Sequence, residues 1–170
     1  EHDSAAQSIL LTDDTGFADA VEAAVARQTR ELPRAEIAAA SWRDFGAVIL
    51  VDSMDEVPGI VDRIAPEHLE LATDDAETLL ARIRNAGAIF LGRHTPEAIG
   101  DYVGGSNHVL PTARSARFSS GLSVLDFLKR TSILRLGPEQ LRALGPAAIS
   151  LAQAEGLEAH GRSVSTRLNL

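Results

Sequence analysis

A carboxylate and an imidazole stand side by side in the segment IAPEHLEL, where Glu67 directly precedes His68. Apolar residues flank the pair, with Ala65 on one side and Leu69 on the other. Charged groups in apolar surroundings cost free energy unless they are paired, and strongly perturbed groups cluster at functional sites. Taken alone, however, this stretch favours a loop that ends a helix at Ala65 and exposes both groups to water.

Imidazoles and carboxylates are also the available metal ligands, because the chain contains no cysteine. In the absence of thiols, these groups suit Zn²⁺. No local H-E-x-x-H motif occurs, so a metal site would have to gather residues that are distant in sequence. Each histidine by itself is equally consistent with a surface imidazole, and His94 is interpreted in that way. The five histidines are His2, His68, His94, His108 and His160.

The segment 94–123 is rich in glycine, serine and proline, and it contains Asp101, Asn107 and His108. Such a long polar segment inside a compact domain is usually functional. Its GGSNH stretch lacks the spacing of a dinucleotide fingerprint or of a P-loop. The segment therefore predicts a functional loop, but not by itself a nucleotide site.

Composition excludes several other classes of protein. The 170 residues carry a net charge of −8 without a Lys/Arg cluster, which argues against nucleic acid or an anionic membrane as a partner. No apolar run has the length of a membrane span, and no signal peptide is visible, so we expect a cytoplasmic protein. The chain begins EHDSAAQS, without an initiator methionine, which indicates processing or a piece of a longer protein.

Alternating elements must position these residues. Short apolar runs predict strands at 8–14, 46–53 and 88–92. Helical periodicity predicts helices at 16–32, 35–45, 54–65 and 74–87, the last of them capped by Gly87. The alternation of strands and helices indicates an α/β layered sheet.

The remainder of the chain has a helical pattern. A helical segment is predicted at 124–130, followed by a helical tail at 137–170 that is broken at Gly145–Pro146 and at Gly156. The apolar faces of this tail need something to pack on. We therefore interpret it as a small appended helical unit.

Five blocks together closely resemble the histidinol dehydrogenase family, the enzymes of the last two steps of histidine biosynthesis. They occur in the order IAPEHLEL, NAGAIFLG, TPEAIGDYVGGSNHVLPT, ARFSSGLSVLDFLKRTSI and EGLEAHGRSV, and the resemblance covers essentially all 170 residues. It implies an incomplete Rossmann-like α/β layered sheet followed by a small helical tail. Residues 1–122 would be the C-terminal half of the main α/β catalytic domain. Residues 123–170 would pack on the partner subunit of a homodimer with exchanged tails.

The resemblance also implies that the chain is only the C-terminal part of such an enzyme. A metal-binding glutamine would stand just before Glu1, and the domain that holds NAD would precede it. No cofactor-binding residue is therefore expected in this chain, and the isolated chain is expected to be inactive.

Site residues carry over from the matching blocks. The resemblance implies that Glu67 and His68 perform acid–base chemistry. The zinc ligands it implies, beside the glutamine, are His2, Asp101 and His160. The substrate contacts it implies are His2, His68, Asp101, His108, Glu155 and His160.

The implied reaction is the oxidation of L-histidinol to L-histidinal and then to L-histidine, with NAD as hydride acceptor and Zn²⁺ as the bound metal. Two alternatives stay open at this point. A zinc hydrolase would use similar ligands and an activated water. A non-catalytic fragment would serve only folding and dimerisation.

Overall fold

Residues 1–169 are described by a computed structural model, in which short parallel strands alternate with helices. The strands are Ile9–Thr12 (β1), Ala47–Leu50 (β2), His68–Leu71 (β3) and Ala88–Leu91 (β4). The helices are Thr15–Thr29 (α1), Ala35–Phe45 (α2), Val57–Ile64 (α3), Ala76–Leu80 (α4), Glu97–Tyr102 (α5), Pro138–Ala154 (α6) and Glu158–Leu168 (α7).

The strands form two parallel pairs. β1 pairs with β2 so that Ile9 lies opposite Ala47, and β3 pairs with β4 so that His68 lies opposite Ala88. Helices connect the two strands of each pair, as parallel pairing requires. The predicted α/β class is therefore confirmed, although in residues 1–169 the strands form two separate pairs rather than one sheet.

Strand β3 was not predicted, and it corrects the interpretation of Glu67 and His68 as part of an exposed loop after Ala65. The preceding helix, α3, ends at Ile64, and its C-cap residue Ala65 adopts a left-handed conformation with φ of 50°. His68 then begins the strand, and its side chain is only 23% exposed. Because side chains alternate along a strand, Leu69 and Leu71 are buried while Glu70, between them, is exposed.

The core lies against the apolar face of β3. It joins this strand to α3 and α4, and burial of their aliphatic side chains stabilises the packing. Its buried members are Val51, Val57, Val61, Leu69, Leu71, Ala76 and Leu79. One face of β3 is thus fixed by the core, which leaves the other face for His68.

Helix α4 is shorter than the prediction of 74–87. It ends at Leu80 because the Asp62 carboxylate accepts hydrogen bonds from the backbone N–H groups of Arg84 and Asn85 and holds this stretch as a turn. Gly87 consequently leads into β4 instead of capping a helix. The helix predicted at 124–130 is also wrong, since only a 3₁₀ turn forms there, at Val124–Phe127.

The chain divides into two compact units, Glu1–Phe127 and the residues from Leu128 onward. The second unit contains α6 and α7, which pack on each other. Helix α6 continues through Gly145 and Pro146, so the predicted break there is wrong. Buried Gly145 lies against side chains of α7, a tertiary contact that favours the continuous helix.

The predicted break at Gly156 is confirmed. This glycine has φ of 71°, and α7 begins two residues later. None of the helices described between residues 1 and 169 is long and apolar enough to cross a membrane.

Candidate functional site

The imidazole of His68 faces two carboxylates of α5. Its Nε2 lies 3.6 Å from Oε1 of Glu97 and 3.7 Å from Oδ1 of Asp101. The two acidic residues are four positions apart on α5, a spacing that places them on one helix face. Nε2 of His68 is buried, and it has no hydrogen-bond partner among the described residues. Buried polar atoms are usually paired, so this nitrogen marks the candidate site.

Backbone pairing fixes the Glu67–His68 dipeptide at the start of β3. The Glu67 carbonyl accepts a hydrogen bond of 2.8 Å from the N–H of Ala88. Gly87 permits this approach, because a Cβ at position 87 would lie 2.5 Å from that carbonyl oxygen. The ring of Phe90 lies beside the His68 imidazole, with 6.1 Å between centroids. The imidazole is therefore held from both strands.

Asp101 links His68 to a second imidazole. Its Oδ1 lies 2.9 Å from Nδ1 of His108, and its side chain is only 11% exposed. Asn107 stabilises the loop that carries His108, since its side chain accepts from the N–H of Val109 and donates to the carbonyl of Leu122. The structure thus brings together three predicted site residues, His68, Asp101 and His108.

Electrostatics distinguish the two carboxyl groups. The pKa of Glu97 is raised, first by its hydrogen bond with Asp101, then by burial and by the negative charge of Asp101. The pKa of Asp101 is lowered, chiefly by its hydrogen bond with His108 and then by that with Glu97. Like charges this close disfavour ionisation of both groups. A proton therefore resides more readily on Glu97, while Asp101 stays ionised.

The ion pair between Asp101 and His108 gives a testable pH dependence. The Asp101 hydrogen bond raises the pKa of His108 above 6.5. The contribution of His108 to stability is therefore complete below pH 6.5 and is lost as pH rises through the raised pKa. The contribution of Asp101 is present above its ordinary pKa of 3.8 and is lost as pH falls through the lowered value. The pair stabilises most between those limits.

NMR titration of the metal-free protein checks this expectation. The pKa of His108 should lie above 6.5, and Asp101→Asn should return it towards 6.5. Asp74→Asn is a matched control, because Asp74 is an exposed aspartate paired with Arg93. An unchanged His108 titration in Asp101→Asn would show that the pair does not form in solution.

A metal fits this cluster. His68, Glu97 and Asp101 can each offer one ligand atom, and these atoms lie within 4.8 Å of one another. Nitrogen and oxygen donors suit Zn²⁺, and the buried Nε2 of His68, which has no hydrogen-bond partner among the described residues, is free either to bind a metal or to accept a proton. Glu97 was missed by the sequence analysis. Its signal was the four-residue spacing to Asp101 in the block TPEAIGD.

The other predicted residues have different positions. His2 is exposed, and its backbone carbonyl accepts a hydrogen bond from the guanidinium of Arg34. A positive charge on the His2 imidazole opposes the rise in the pKa of Glu97. His2 is therefore near the cluster but is not one of its three grouped ligands. Glu155 and His160 belong to the second unit, where both are exposed on either side of the turn between α6 and α7.

Comparison with known proteins identifies the family. The model of the family described as histidinol dehydrogenase matches residues 1–168. The histidinol dehydrogenase of Rhizobium meliloti is 74% identical over 170 residues, which are 100% of this chain and 39% of that protein. That of Mesorhizobium japonicum is 75% identical over 100% of this chain and 40% of its own length.

A solved structure agrees with these matches. The crystal structure of histidinol dehydrogenase from Elizabethkingia anophelis has a TM-score of 0.77 and 35% identity, covering 99% of this chain and 39% of that one. The chain thus spans about two fifths of the length of these relatives, which confirms that it matches only part of such an enzyme. The chain belongs to the histidinol dehydrogenase family.

Proposed function

We propose that the chain supplies catalytic groups to a complete histidinol dehydrogenase, which oxidises L-histidinol through L-histidinal to L-histidine with NAD⁺. The observation that carries this proposal is the buried, unpartnered Nε2 of His68 opposite Glu97 and Asp101. Strongly similar dehydrogenases over the whole chain support it. In the isolated chain, which spans only part of those relatives, we expect no turnover.

His68 is the proposed proton acceptor. Oxidation of an alcohol removes a hydride from carbon and a proton from oxygen, and an imidazole near neutrality suits the second task. Pairing of β3 with β4 and the adjacent Phe90 ring keep the imidazole in one place. Positioning of this kind lowers the barrier because the base need not be found by diffusion.

Glu67 is the proposed activator of water. The aldehyde must add water before a second hydride can leave, since the product is a carboxylic acid. The carboxylate of Glu67 would take the proton of that water. Its side chain is half-buried, and its backbone is held by the bond from Ala88.

The proposed zinc ligands are His2, Asp101 and His160, together with the glutamine expected before Glu1. Glu97 lies beside Asp101 but is not one of these proposed ligands. Bound zinc would hold the imidazole and amino nitrogens of histidinol as a Lewis acid. NAD⁺ would accept each hydride and would be bound by residues outside this chain. Asp101 is oriented for metal by its bond with His108, as outer partners commonly orient ligands. His108 and Glu155 would add polar substrate contacts.

A zinc hydrolase is the second candidate, because the same nitrogen and oxygen donors and the same Glu–His pair could activate water. The discriminating experiment supplies histidinol to the complete enzyme with and without NAD⁺. The dehydrogenase proposal requires NADH to form only when both are present. Histidinol has no ester or amide bond to hydrolyse, so a hydrolase would leave it unchanged and would form no NADH under either condition.

The helical tail is proposed to complete the site of the other subunit in a homodimer. Support comes from the second unit, in which Leu144, Leu151 and Leu157 are 58%, 65% and 44% exposed. Several exposed leucines on a small helical unit are typical of an interface. Exchange would bring Glu155 and His160 of one subunit to the Asp101 of its partner.

Mixing two inactive variants of the complete enzyme tests this exchange. Asp101→Ala and His160→Ala subunits should together recover about a quarter of wild-type activity, because half the dimers are mixed and one of their two sites is whole. If each tail serves its own subunit, no mixed site is whole and no activity returns.

Two controls make that result decisive. Tagged co-purification must show that subunits have exchanged. A mixture of His160→Ala with Glu155→Ala should recover nothing under either model, because every tail is then defective. Lack of recovery by the first mixture, with exchange demonstrated, would contradict the exchanged tail.

A further inference from the structure

The first turn of α5 is attached to β3 by a side chain from that strand. Oε1 of Glu70 accepts a hydrogen bond of 2.7 Å from the backbone N–H of Glu97. The first N–H groups of a helix lack partners within it. Pro96, which precedes α5, provides no side-chain cap. Glu70, although it belongs to β3, therefore accepts a hydrogen bond from the first turn of α5, as an N-cap side chain usually does.

Glu70 and His68 lie on the same face of β3, because they are two residues apart on one strand. The strand thus carries both the imidazole of the site and the acceptor that holds the opposing helix. The bond ends on the backbone of Glu97, whose side chain is one of the two carboxylates near Nε2 of His68. A change at Glu70 should consequently alter the distance between those groups.

A second attachment makes the position of α5 specific. A Cβ on Gly100 would lie 2.5 Å from a ring carbon of Phe90, so the helix backbone runs directly over this ring. Phe90 is 7% exposed, and it lies opposite Glu70 in the β3–β4 register. Helix α5 is therefore seated on the outer face of the strand pair, in contact with Phe90 and bonded to Glu70.

We infer that Glu70 is a positioning residue, which holds α5 so that Glu97 and Asp101 remain opposite Nε2 of His68. This inference rests on the proposed function, because it assigns Glu70 to the same site. Glu70 does not itself belong to the three grouped ligands, and it acts through the backbone of α5. Since the Glu70 side chain is exposed, the effect should be moderate.

The experiment compares variants of the complete enzyme by their affinity for Zn²⁺ alone, measured by chelator competition, and by kcat/KM for histidinol at saturating zinc. Glu70→Ala should weaken zinc binding roughly tenfold, the size of one lost helix cap. Glu70→Gln keeps the Oε1 acceptor and should stay within about threefold of wild type, since neutral acceptors also cap helices. Glu77→Ala, an exposed glutamate in the first turn of α4, is the matched control and should change nothing.

Two results would overturn the inference. One is wild-type zinc affinity in Glu70→Ala, and the other is an equal loss in Glu70→Gln, which would indicate charge rather than a hydrogen bond. If Glu70→Ala fails to fold, Glu70→Asp takes its place, because the shorter side chain moves the acceptor away from the backbone N–H of Glu97. Glu70→Asp should then bind zinc more weakly than wild type, while Glu70→Gln should not. Wild-type enzyme that fails to oxidise histidinol would refute the proposed function, yet the zinc affinities would still decide the role of Glu70.

Discussion

Replacement of His68 by asparagine in the complete enzyme is expected to lower kcat for both histidinol and histidinal by about 10²–10⁴-fold, the usual effect of losing one acid–base group. Both oxidations need a proton acceptor at the carbinol oxygen. Asparagine keeps a polar side chain of similar size but cannot accept that proton. Steady-state rates with each substrate, measured at saturating NAD⁺, provide the comparison.

Glu67→Gln in the complete enzyme should distinguish the oxidation of histidinol from the oxidation of histidinal. It should depress oxidation of histidinal, while the first NADH formed from histidinol in a single turnover should be little changed, because only the aldehyde requires an added water. His94→Asn is the matched control, since His94 is an exposed histidine that no part of the proposed site uses. Equal losses on both substrates in Glu67→Gln would refute the division of roles between Glu67 and His68.

Asp101→Ala should produce the second large effect, a loss of zinc affinity of at least about 10–100-fold together with collapse of activity. Asp101 lies close to both His68 and His108. Secondary structure should persist, because the core contacts lie on the opposite face of β3.

Metal content and circular dichroism should be measured on the same sample of Asp101→Ala. Asp74→Ala, which removes an exposed carboxylate paired with Arg93, should keep both zinc and activity. Full zinc occupancy in Asp101→Ala would show that Asp101 only stabilises its loop through His108.

Elements with a long, regular pattern could be predicted from the sequence. The helices 16–32 and 35–45 and the strand 46–53 correspond to α1, α2 and β2. Strand β3 escaped prediction because it has only four residues and two of them, His68 and Glu70, are polar. Its alternation with Leu69 and Leu71 is too short to distinguish from a loop, although tertiary pairing with β4 fixes it.

Errors in the helices have a similar cause. The carboxylate of Asp62, more than twenty residues away from Asn85, holds the turn that follows α4. Packing of Gly145 against α7 favours a helix that continues through Pro146, where local propensity alone predicts a break. Neither contact can be read from a local window of sequence.

Prediction of the site depended on the family resemblance rather than on spacing. His68, Asp101 and His108 were assigned through matching blocks, and the structure brings their side chains together. Glu97 was missed because α5 has only six residues, too few for a periodic pattern. Only the folded chain shows that its carboxylate faces Nε2 of His68.

The number of NADH molecules formed per histidinol consumed by the complete enzyme decides whether it is a four-electron dehydrogenase. Oxidation of an alcohol to a carboxylic acid removes four electrons, and each hydride carries two of them. We expect two NADH for each L-histidine formed. Formation of one NADH with accumulation of histidinal, or of none, would contradict it.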